Sequence, residues 1–238
     1  VGPDRFAQNQ VVLPEAPVAP AGDQIDAGAG RDTVTGTAGN DQIDAGAGRD
    51  TVDGGAGNDV IIAGAGRDTV TGGPGNDVIS LGAGRDTAIW NVGDGMDIIS
   101  DTGGNRDTFI ANGDASNEVF TVYAAANFTA FAIDPQAEIV ITRSVDGGPE
   151  ILIAQLSGID EIQINTGGGT NNVNVIGNFG TTDLNFNTIT VNGTTGNDAI
   201  DITSLDSAHR ILFRSSGGND TIVGTIRPQD VILLPEGS

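Results

Sequence analysis

An aspartate recurs every nine residues through the N-terminal part of the chain, and this ladder is the part of the sequence best suited to chemistry. The series consists of Asp23, Asp32, Asp41, Asp50, Asp59, Asp68, Asp77 and Asp86. Clustered carboxylate oxygens without neighbouring Cys or His favour a hard cation with six or more oxygen ligands, which indicates Ca²⁺ rather than Mg²⁺ or Zn²⁺. The ladder therefore predicts a row of calcium sites.

Each nine-residue unit divides into a six-residue turn and a three-residue strand. An aliphatic residue follows each Asp by two positions, as Ile61 follows Asp59, and only this middle residue of a short strand points inward. Asn precedes the Asp at 41, 59 and 77, whereas Arg precedes it at 32, 50, 68 and 86. Two units therefore form one coil of eighteen residues, with an Asn edge and an Arg edge on opposite sides.

Stacking of the coils brings like charges together. Parallel strands lie about 4.8 Å apart, and two carboxylates at that spacing repel by on the order of 1 kcal/mol even in water. The four arginines of the Arg edge offer only part of the compensation; they are Arg31, Arg49, Arg67 and Arg85. Bound cations between the turns are the remaining way to balance the ladder.

The repeats resemble the glycine- and aspartate-rich nonapeptides of the haemolysin-type, or RTX, calcium-binding proteins, whose pattern is Gly-Gly-x-Gly-x-Asp-x-aliphatic-x. The segment 54–61, Gly-Gly-Ala-Gly-Asn-Asp-Val-Ile, shows the match. The resemblance implies an all-β fold: a parallel β-roll, or β-solenoid, that binds each Ca²⁺ between stacked turns. One turn would offer the carbonyls of its second and fourth places and its Asp, and the next turn its first and third carbonyls and its Asp.

The resemblance assigns a ligand set to each pair of turns. On the Arg edge it implies three sets: Gly28, Gly30, Asp32, Ala45, Ala47 and Asp50; Gly46, Gly48, Asp50, Ala63, Ala65 and Asp68; and Gly64, Gly66, Asp68, Leu81, Ala83 and Asp86. On the Asn edge it implies two sets: Thr37, Gly39, Asp41, Gly54, Ala56 and Asp59; and Gly55, Gly57, Asp59, Gly72, Pro74 and Asp77. Thr37 is the least regular member, because its place is usually held by glycine.

Two looser repeats extend the ladder and set the expected number of ions. By the same rule Asp97 closes a further site with Gly73, Gly75 and Asp77, and Asp107 closes one with Gly82, Gly84 and Asp86. The family geometry then implies about five to eight Ca²⁺ ions. Trp90 and Phe109 are expected to be core aromatics at the end of the roll.

Composition suggests three segments. Residues 1–20 are rich in Pro and Ala and predict a linker from an upstream part of a larger protein. Residues 21–111 form the roll. In residues 112–238 the nine-residue period stops and alternating apolar residues predict strands, so we expect a degenerate, irregular β-helix-like extension. Two RTX-like turns return there, at Asp198 and Asp220, and calcium at these turns is left open.

A decayed repeat lies between the roll and those two turns. In the segment 167–173, Asn171 takes the place of Asp, and a neutral amide can hydrogen-bond its neighbours without an ion. The extension is therefore expected to be largely ion-free. The closing stretches 208–213 and 227–232 resemble the tails of large peroxidase-related bacterial RTX proteins.

Charge limits the partners. The 238 residues include 37 Gly and no Cys and carry a formal net charge of −22, which argues against nucleic acid. An acidic chain with a weak core risks disorder while its charges are uncompensated, so folding is expected to wait for calcium. No apolar run is long enough to span a membrane. By resemblance, such proteins leave Gram-negative bacteria through type I secretion and fold outside, which predicts a secreted or cell-surface location.

Three functions of different classes follow from these features. The favoured one is a calcium-binding structural module, acting as a folding trigger, a spacer or a self-assembling unit of extracellular polymers. The alternative is a calcium-dependent adhesin segment that binds a glycan or surface ligand through the C-terminal half. The minor alternative is ice binding through an outward array of threonines: Thr33, Thr35, Thr51, Thr69, Thr71 and Thr87.

Catalysis is not expected. The chain has a single histidine, His209, with no Cys partner and no His-Glu-x-x-His motif. A glycosidase needs two carboxyl groups in contrasting environments, whereas the aspartate ladder repeats one environment. The sequence therefore predicts a binding module rather than an enzyme.

Overall fold

The computed structural model describes residues 10–11, 22–103, 106–184 and 188–234. The chain divides into two compact units, one ending at Phe109 and the other beginning at Ile110. The predicted linker at 1–20 lies outside the described residues except for 10–11. Among the described residues no helix is both long and apolar enough to cross a membrane.

The first unit consists of short strands joined by glycine-rich turns. Its strands are β1 (Gln10–Val11), β2 (Gln24–Asp26), β3 (Ala29–Gly30), β4 (Thr33–Thr35), β5 (Gln42–Asp44), β6 (Ala47–Gly48), β7 (Thr51–Asp53), β8 (Val60–Gly66), β9 (Thr69–Thr71), β10 (Val78–Gly84), β11 (Thr87–Asn91) and β12 (Asp97–Ser100), and β13 (Thr108–Asn112) spans the division between the units. The strands β2, β5, β8, β10 and β12 pair in parallel on one face. The strands β1, β4, β7, β9 and β11 pair in parallel on the other face.

The register of these pairs fixes the coil length. Ile25 is the partner of Ile43 in one stack, and Val34 is the partner of Val52 in the other, so equivalent residues are 18 positions apart in both. The predicted all-β fold with a parallel β-roll is confirmed, and so is the arrangement of two units per coil. The regular aliphatic spacing sets this register, because a one-residue slip would turn every inward side chain to solvent.

The core of the first unit is one aliphatic column per face. Val34, Ile61 and Val70 have no exposed surface, whereas Val60 and Ile62 on either side of Ile61 are exposed. Burial of each inward aliphatic side chain stabilises the roll by about 1.5–3 kcal/mol. Trp90 and Phe109 are also buried, as expected. The indole Nε1 of Trp90 donates a hydrogen bond to the Gly95 carbonyl at 2.9 Å.

The second unit combines coils with an antiparallel excursion. Its strands are β14 (Glu118–Ala124), β15 (Ile139–Val145), β16 (Ile151–Ser157), β17 (Glu161–Asn165), β18 (Asn172–Ile176), β19 (Thr188–Asn192), β20 (Ala199–Asp201), β21 (Arg210–Arg214), β22 (Thr221–Val223) and β23 (Val231–Leu233), with 3₁₀ turns at Ala125–Asn127 and Phe179–Thr181. The parallel stacks are β14–β18–β20–β22 and β17–β19–β21–β23. β15 pairs antiparallel with both β14 and β16.

This excursion is the main departure from a plain solenoid. β14, β15 and β16 form an antiparallel meander before the chain resumes parallel coils. Alternating apolar residues predicted the strands correctly, but alternation does not distinguish parallel from antiparallel pairing. The coils also lengthen, because Ala199 pairs with Thr221, with the equivalent aspartates 22 residues apart.

Candidate metal-binding edges of the coils

From Asp41 onward, the aspartates of the ladder reach back to the preceding coil. The Oδ1 atom of Asp50 accepts a hydrogen bond from the Asp32 backbone N–H at 2.8 Å, and Asp68 accepts one from Asp50 at 2.8 Å. The same contact recurs at Asp59, Asp77 and Asp86. It continues through the looser repeats, where Asp97 accepts from Asp77 at 3.0 Å and Asp107 from Asp86 at 2.7 Å. The result is one column of buried carboxylates along each edge.

The second carboxylate oxygen of these residues lacks a protein partner. The buried Oδ2 atoms without a hydrogen bond in the first unit include those of Asp50, Asp59, Asp68, Asp77, Asp86 and Asp97. Leaving a charged oxygen buried and unpaired costs several kcal/mol, so such atoms are normally satisfied by a donor or a metal ion. Oxygen donors alone, repeated from coil to coil, fit a hard cation bound between turns.

The pKa values of the aspartates in these columns show the same lack of a compensating positive charge. Burial, together with the neighbouring carboxylates of Asp77 and Asp41, raises the pKa of Asp59 to about 7 against the lowering effect of its backbone hydrogen bond. Burial likewise raises the pKa of Asp97 to about 8. The four arginines of the Arg edge are exposed, and within the described residues none forms an ion pair. The four arginines therefore do not neutralise the buried carboxylates directly, and a bound cation would balance the charge of either column.

Glycine is required at the second place of the regular turns. The second-place glycines have φ between +88° for Gly28 and +101° for Gly64, a region that L side chains rarely adopt. A Cβ on Gly46 would also lie 1.8 Å from the Gly28 carbonyl oxygen. That oxygen accepts a hydrogen bond from the Ala47 N–H at 2.8 Å. A carbonyl has two lone pairs, so this bond leaves one for a metal ion.

The two edges differ at the first place of the turn. On the Arg edge this place holds Ala45, Ala63 or Leu81, and these side chains are fully buried. On the Asn edge it holds glycine, and a Cβ on Gly54 would lie 2.6 Å from the Asp59 Oδ2 atom. Close approach of the backbone to the carboxylate therefore excludes a side chain on one edge only. The sequence carried this difference, but its reason is visible only in the structure.

The asparagines of the Asn edge form a second ladder. The Oδ1 atom of Asn40 accepts from the Asn58 N–H at 2.8 Å, and Asn58 accepts from the Asn76 N–H at 2.9 Å. Met96 continues the series by donating to Asn76 at 2.9 Å. Sequence reasoning used these residues only to tell the edges apart. Their regular recurrence before Asp was the available signal of a structural role.

The turn 36–41 departs from its neighbours. The Thr37 N–H donates to the Asp41 Oδ2 atom at 2.7 Å, and the Asp23 N–H donates to Asp41 Oδ1 at 2.6 Å. Both oxygens of Asp41 are thus engaged by the protein itself. Asp41 belongs to the implied ligand set that also contains Thr37 and Gly39. In that set, both oxygens of one carboxylate already accept hydrogen bonds from the protein.

A cluster of three carboxylates lies where the Arg edge meets the looser repeats. One carboxylate oxygen from each of Asp86, Asp101 and Asp107 lies within 4.8 Å of the others. Asp86 and Asp107 are buried, and Asp101 is half-buried. Asp101 was missed because it falls outside the nine-residue series. It adds a third carboxylate to the pair that the sequence assigned to a calcium site.

A related column crosses the second unit. The Glu118 N–H donates to Asn171 Oδ1 at 2.9 Å, the Asn171 N–H donates to Asp198 Oδ1 at 3.3 Å, and the Asp198 N–H donates to Asp220 Oδ1 at 2.9 Å. The turns at Asp198 and Asp220 are therefore stacked neighbours. Sequence reasoning missed Glu118, because 53 residues separate it from Asn171.

Most oxygens of this second column are satisfied internally. The buried Glu118 carboxylate accepts from Arg143 Nε at 2.6 Å, and Asp198 Oδ2 accepts from the Thr194 N–H at 2.7 Å. Asp220 is the exception, because its Oδ2 atom is buried without a hydrogen bond. The column thus has the geometry of the first unit with a different charge balance.

The single histidine holds loops together. His209 is buried; its Nδ1 lies 2.9 Å from Ser207 Oγ and its Nε2 lies 3.0 Å from the Leu184 carbonyl oxygen. Its ring packs edge-on against Phe179, with 6.0 Å between centroids. Burial lowers the pKa of His209. These contacts account for the residue as part of the fold.

The outward threonines form one continuous column and one broken column. Thr33, Thr51, Thr69 and Thr87 are successive register partners. In the parallel column, Asp53 separates Thr35 from Thr71, and Ile89 follows Thr71. The regular array expected for ice binding is therefore interrupted on one side.

Comparison with known families identifies the repeats. Residues 20–52 and 53–88 match the family described as RTX calcium-binding nonapeptide repeat, in 4 copies. No curated protein matches the chain. The resemblance of this segment is confirmed, and residues 20–88 carry calcium-binding RTX repeats. The matched ranges do not include the closing stretch of the chain, so its similarity to peroxidase-related tails stays a prediction.

Proposed function

We propose that the chain is a structural module of a secreted or cell-surface bacterial protein, and that calcium binding between coils of the first unit drives its folding. The observation that carries this proposal is the row of buried Oδ2 atoms without hydrogen bonds, as at Asp59, Asp68 and Asp77. Each ion bound between two turns would engage such oxygens from both coils. The ions act as structural ligands, and no chemical step is assigned to them.

Electrostatics makes the ions a condition of folding. The chain carries a formal net charge of −22, and the buried aspartates of each edge are stacked at coil spacing. About five to eight Ca²⁺ ions would offset ten to sixteen of those charges, which follows from the ligand sets along the two edges. A site that forms only in the folded chain contributes its binding energy to folding. Without calcium, we expect the first unit to lose its coil structure.

The location follows from the same dependence. Extracellular calcium modules bind with dissociation constants of about 10⁻⁴ to 10⁻³ M, far above the free calcium of a cytosol. Such a chain would stay unfolded inside the cell and fold after export. Resemblance to RTX proteins suggests export from a Gram-negative bacterium by type I secretion.

Circular dichroism during a calcium titration tests the proposal, with light scattering on the same samples. We expect a cooperative gain of β signal between about 0.1 and 10 mM Ca²⁺, the range of extracellular calcium modules. Mg²⁺ at the same concentrations is the control, because its preference for six ligands at shorter distances does not suit these turns. An unchanged spectrum across the calcium titration would refute calcium-driven folding.

Self-assembly is a second candidate, favoured by the ends of the second unit's sheets. Among the described strands, β22 pairs only with β20, and β23 pairs only with β21. Val223 on β22 and Leu233 on β23 are exposed. Unpaired strand edges with apolar side chains can accept a further strand from another chain. Growth of particle mass that requires calcium would support assembly, and a constant monomer mass at high protein concentration would refute it.

A further inference from the structure

In two of the turns that the structure describes, a backbone N–H donates to the Oδ2 atom of the turn's own aspartate. The Thr37 N–H donates to Asp41 Oδ2 at 2.7 Å, and the Thr194 N–H donates to Asp198 Oδ2 at 2.7 Å. The equivalent oxygens of Asp59 and other regular turns are buried without any hydrogen bond. The difference therefore concerns the one carboxylate atom that would face a bound ion.

The direction of the N–H at the second place of the turn explains the difference. In turn 54–59 the residue at this place is Gly55, whose φ is +95° and whose N–H donates to Asp53 Oδ1 at 3.1 Å, away from Asp59. In turn 72–77 it is Gly73, with φ of +94°, and Asp77 Oδ2 is again without a partner. Among the described residues only Arg106 and Asp146 are non-glycine residues with positive φ. Threonine therefore turns its N–H the other way, toward its own carboxylate. Ser216 holds the second place in the turn 215–220, but its N–H donates to the Thr194 carbonyl at 3.3 Å, and Asp220 Oδ2 stays without a partner.

A side-chain amide performs a similar task in the next coil. The Nδ2 atom of Asn171 lies 3.2 Å from the Gly167 carbonyl oxygen, 3.1 Å from the Gly168 carbonyl oxygen and 3.1 Å from Asp198 Oδ1. Asn171 is buried, with 1 % of its surface exposed. Two carbonyls and a carboxylate are the oxygen types that calcium takes in these turns. The two partly positive amide hydrogens are shared among these three oxygens.

We propose that Thr37, Thr194 and Asn171 are built-in substitutes for calcium. The turns that contain Asp41 and Asp198 then hold their shape without an ion, because the N–H at the second place of each turn donates to the turn's own aspartate. This inference rests on the proposed function, because it assumes that the glycine-containing turns take up calcium. It goes beyond that function by assigning ion-free turns and the residues responsible for them.

The variant Thr37→Gly tests the inference most directly. It gives the turn 36–41 the same six-residue sequence as the turn 54–59, Gly-Gly-Ala-Gly-Asn-Asp. We expect equilibrium dialysis of the full chain against radioactive Ca²⁺ to show one additional bound ion per chain. Thr33→Gly is the matched control, because it removes a threonine from the outward face of β4, and it should leave the ion number unchanged.

The variant Thr37→Ala separates the backbone from the side chain. Alanine keeps the N–H and the negative φ but loses the hydroxyl, which donates to Asp23 Oδ2 at 3.0 Å. The ion number should stay that of the parent chain. A gain of one ion in Thr37→Ala would show that the hydroxyl, rather than the backbone N–H, blocks the site and would overturn the inference.

The variant Asn171→Asp tests the amide. It replaces the Nδ2 donor by a carboxylate oxygen among three oxygens, and we expect one additional Ca²⁺. Asn172→Asp adds the same charge one residue further on, and it should add no ion.

A second pair of variants tests the inference even if the variants at Thr37 and Asn171 fail to fold. Asp41→Asn should leave the number of bound ions unchanged, whereas Asp59→Asn should lower it by at least one. Equal losses in the two variants would overturn the inference while leaving the proposed function intact. No calcium bound by the parent chain would instead refute the proposed function.

Discussion

The carboxylate column of the first unit and the acidic column of the second unit share one backbone pattern but balance their charge differently. In both, a backbone N–H donates to the side chain one coil further on, as Asp50 does to Asp68 and Asp198 does to Asp220. The first unit leaves the second oxygen of most members without a protein donor. The second unit supplies Arg143, Asn171 and Thr194. The same coil can thus be completed by ions or by internal donors.

Calcium removal should produce the largest difference in stability between the two units. After a chelator has removed calcium, we expect the amides of β4 to β10 to lose most of their protection from hydrogen exchange, because the buried aspartates repel one another. Amides of β17, β19 and β21 should keep their protection. Mass spectrometry of peptides from each unit provides the measurement. Equal loss in both units would show that the internal donors do not replace the ions.

Removing the internal cation of the second unit should have the next largest effect. Arg143→Met removes the guanidinium that lies 2.6 Å from the fully buried Glu118 carboxylate and leaves that carboxylate with backbone N–H donors alone. Breaking one side of a buried pair typically costs about 3–5 kcal/mol. Urea unfolding of the second unit in calcium-free buffer measures this loss. Arg214→Met, at an exposed position of β21, is the control and should cost less than about 0.5 kcal/mol.

Neutralising one aspartate of the first unit should weaken calcium binding more modestly. Asp68 belongs to two implied ligand sets, with Asp50 and with Asp86, so Asp68→Asn affects two neighbouring sites. We expect the calcium midpoint of folding to rise roughly tenfold, equivalent to about 1.4 kcal/mol. Asp44→Asn makes the same charge change at an exposed position of β5. A similar midpoint for the two variants would contradict the role of the buried column.

Acid should replace calcium in part, and only in the first unit. Burial raises the pKa of Asp59 to about 7, of Asp68 and Asp77 to about 6 and of Asp97 to about 8, above the ordinary 3.8. The folded state therefore binds more protons than the unfolded chain in this range. Its stability without calcium should rise as the pH falls from about 8 to 5 and be lost as the pH rises again.

Circular dichroism in resin-treated, calcium-free buffer at pH 8 and pH 5 checks this pH dependence. A partial recovery of β signal at pH 5 is expected. The pKa of Asp230, in the second unit, shifts in the opposite direction. Burial favours a higher pKa for this carboxyl group, but hydrogen bonds from Arg227 and from the Ile211 N–H outweigh burial and lower the pKa. That residue should favour the folded state down to acid pH. A β signal that falls between pH 8 and pH 5 would contradict the prediction for the first unit.

The first unit could be predicted from the sequence because each of its rules is local and repeated. The spacing of Ile43 and Ile61 gave the strand centres, and the alternation of Asn and Arg gave the two edges. The second unit could not be predicted in this way, for a physical reason. Its column joins Glu118 to Asn171 across 53 residues, with an antiparallel meander between them, and no period links the two positions.

Details of the turns also lay beyond the sequence. Thr37 was recognised as irregular, but the direction of its N–H depends on the sign of φ, which a pattern does not state. Asp101 shares no spacing with the ladder and joins Asp86 and Asp107 only through folding. These cases share one cause: each depends on where a single atom points, and the repeat pattern specifies only which residue occupies a place.

The backward reach of the aspartates gives each coil a dependence on the one that follows it. The Asp50 N–H finds its acceptor on Asp68, 18 residues later, so a growing chain cannot complete one coil before the next has emerged. Each coil would thus become ordered only after the following coil had also emerged. On the Asn edge, Asn58 also donates to the earlier Asn40, which ties each new coil to the one before it. On the Arg edge, the Arg49 N–H donates to the earlier Gly30 carbonyl at 3.2 Å. Both edges are therefore tied to the preceding and the following coil, through an asparagine side chain on one edge and through the backbone on the other.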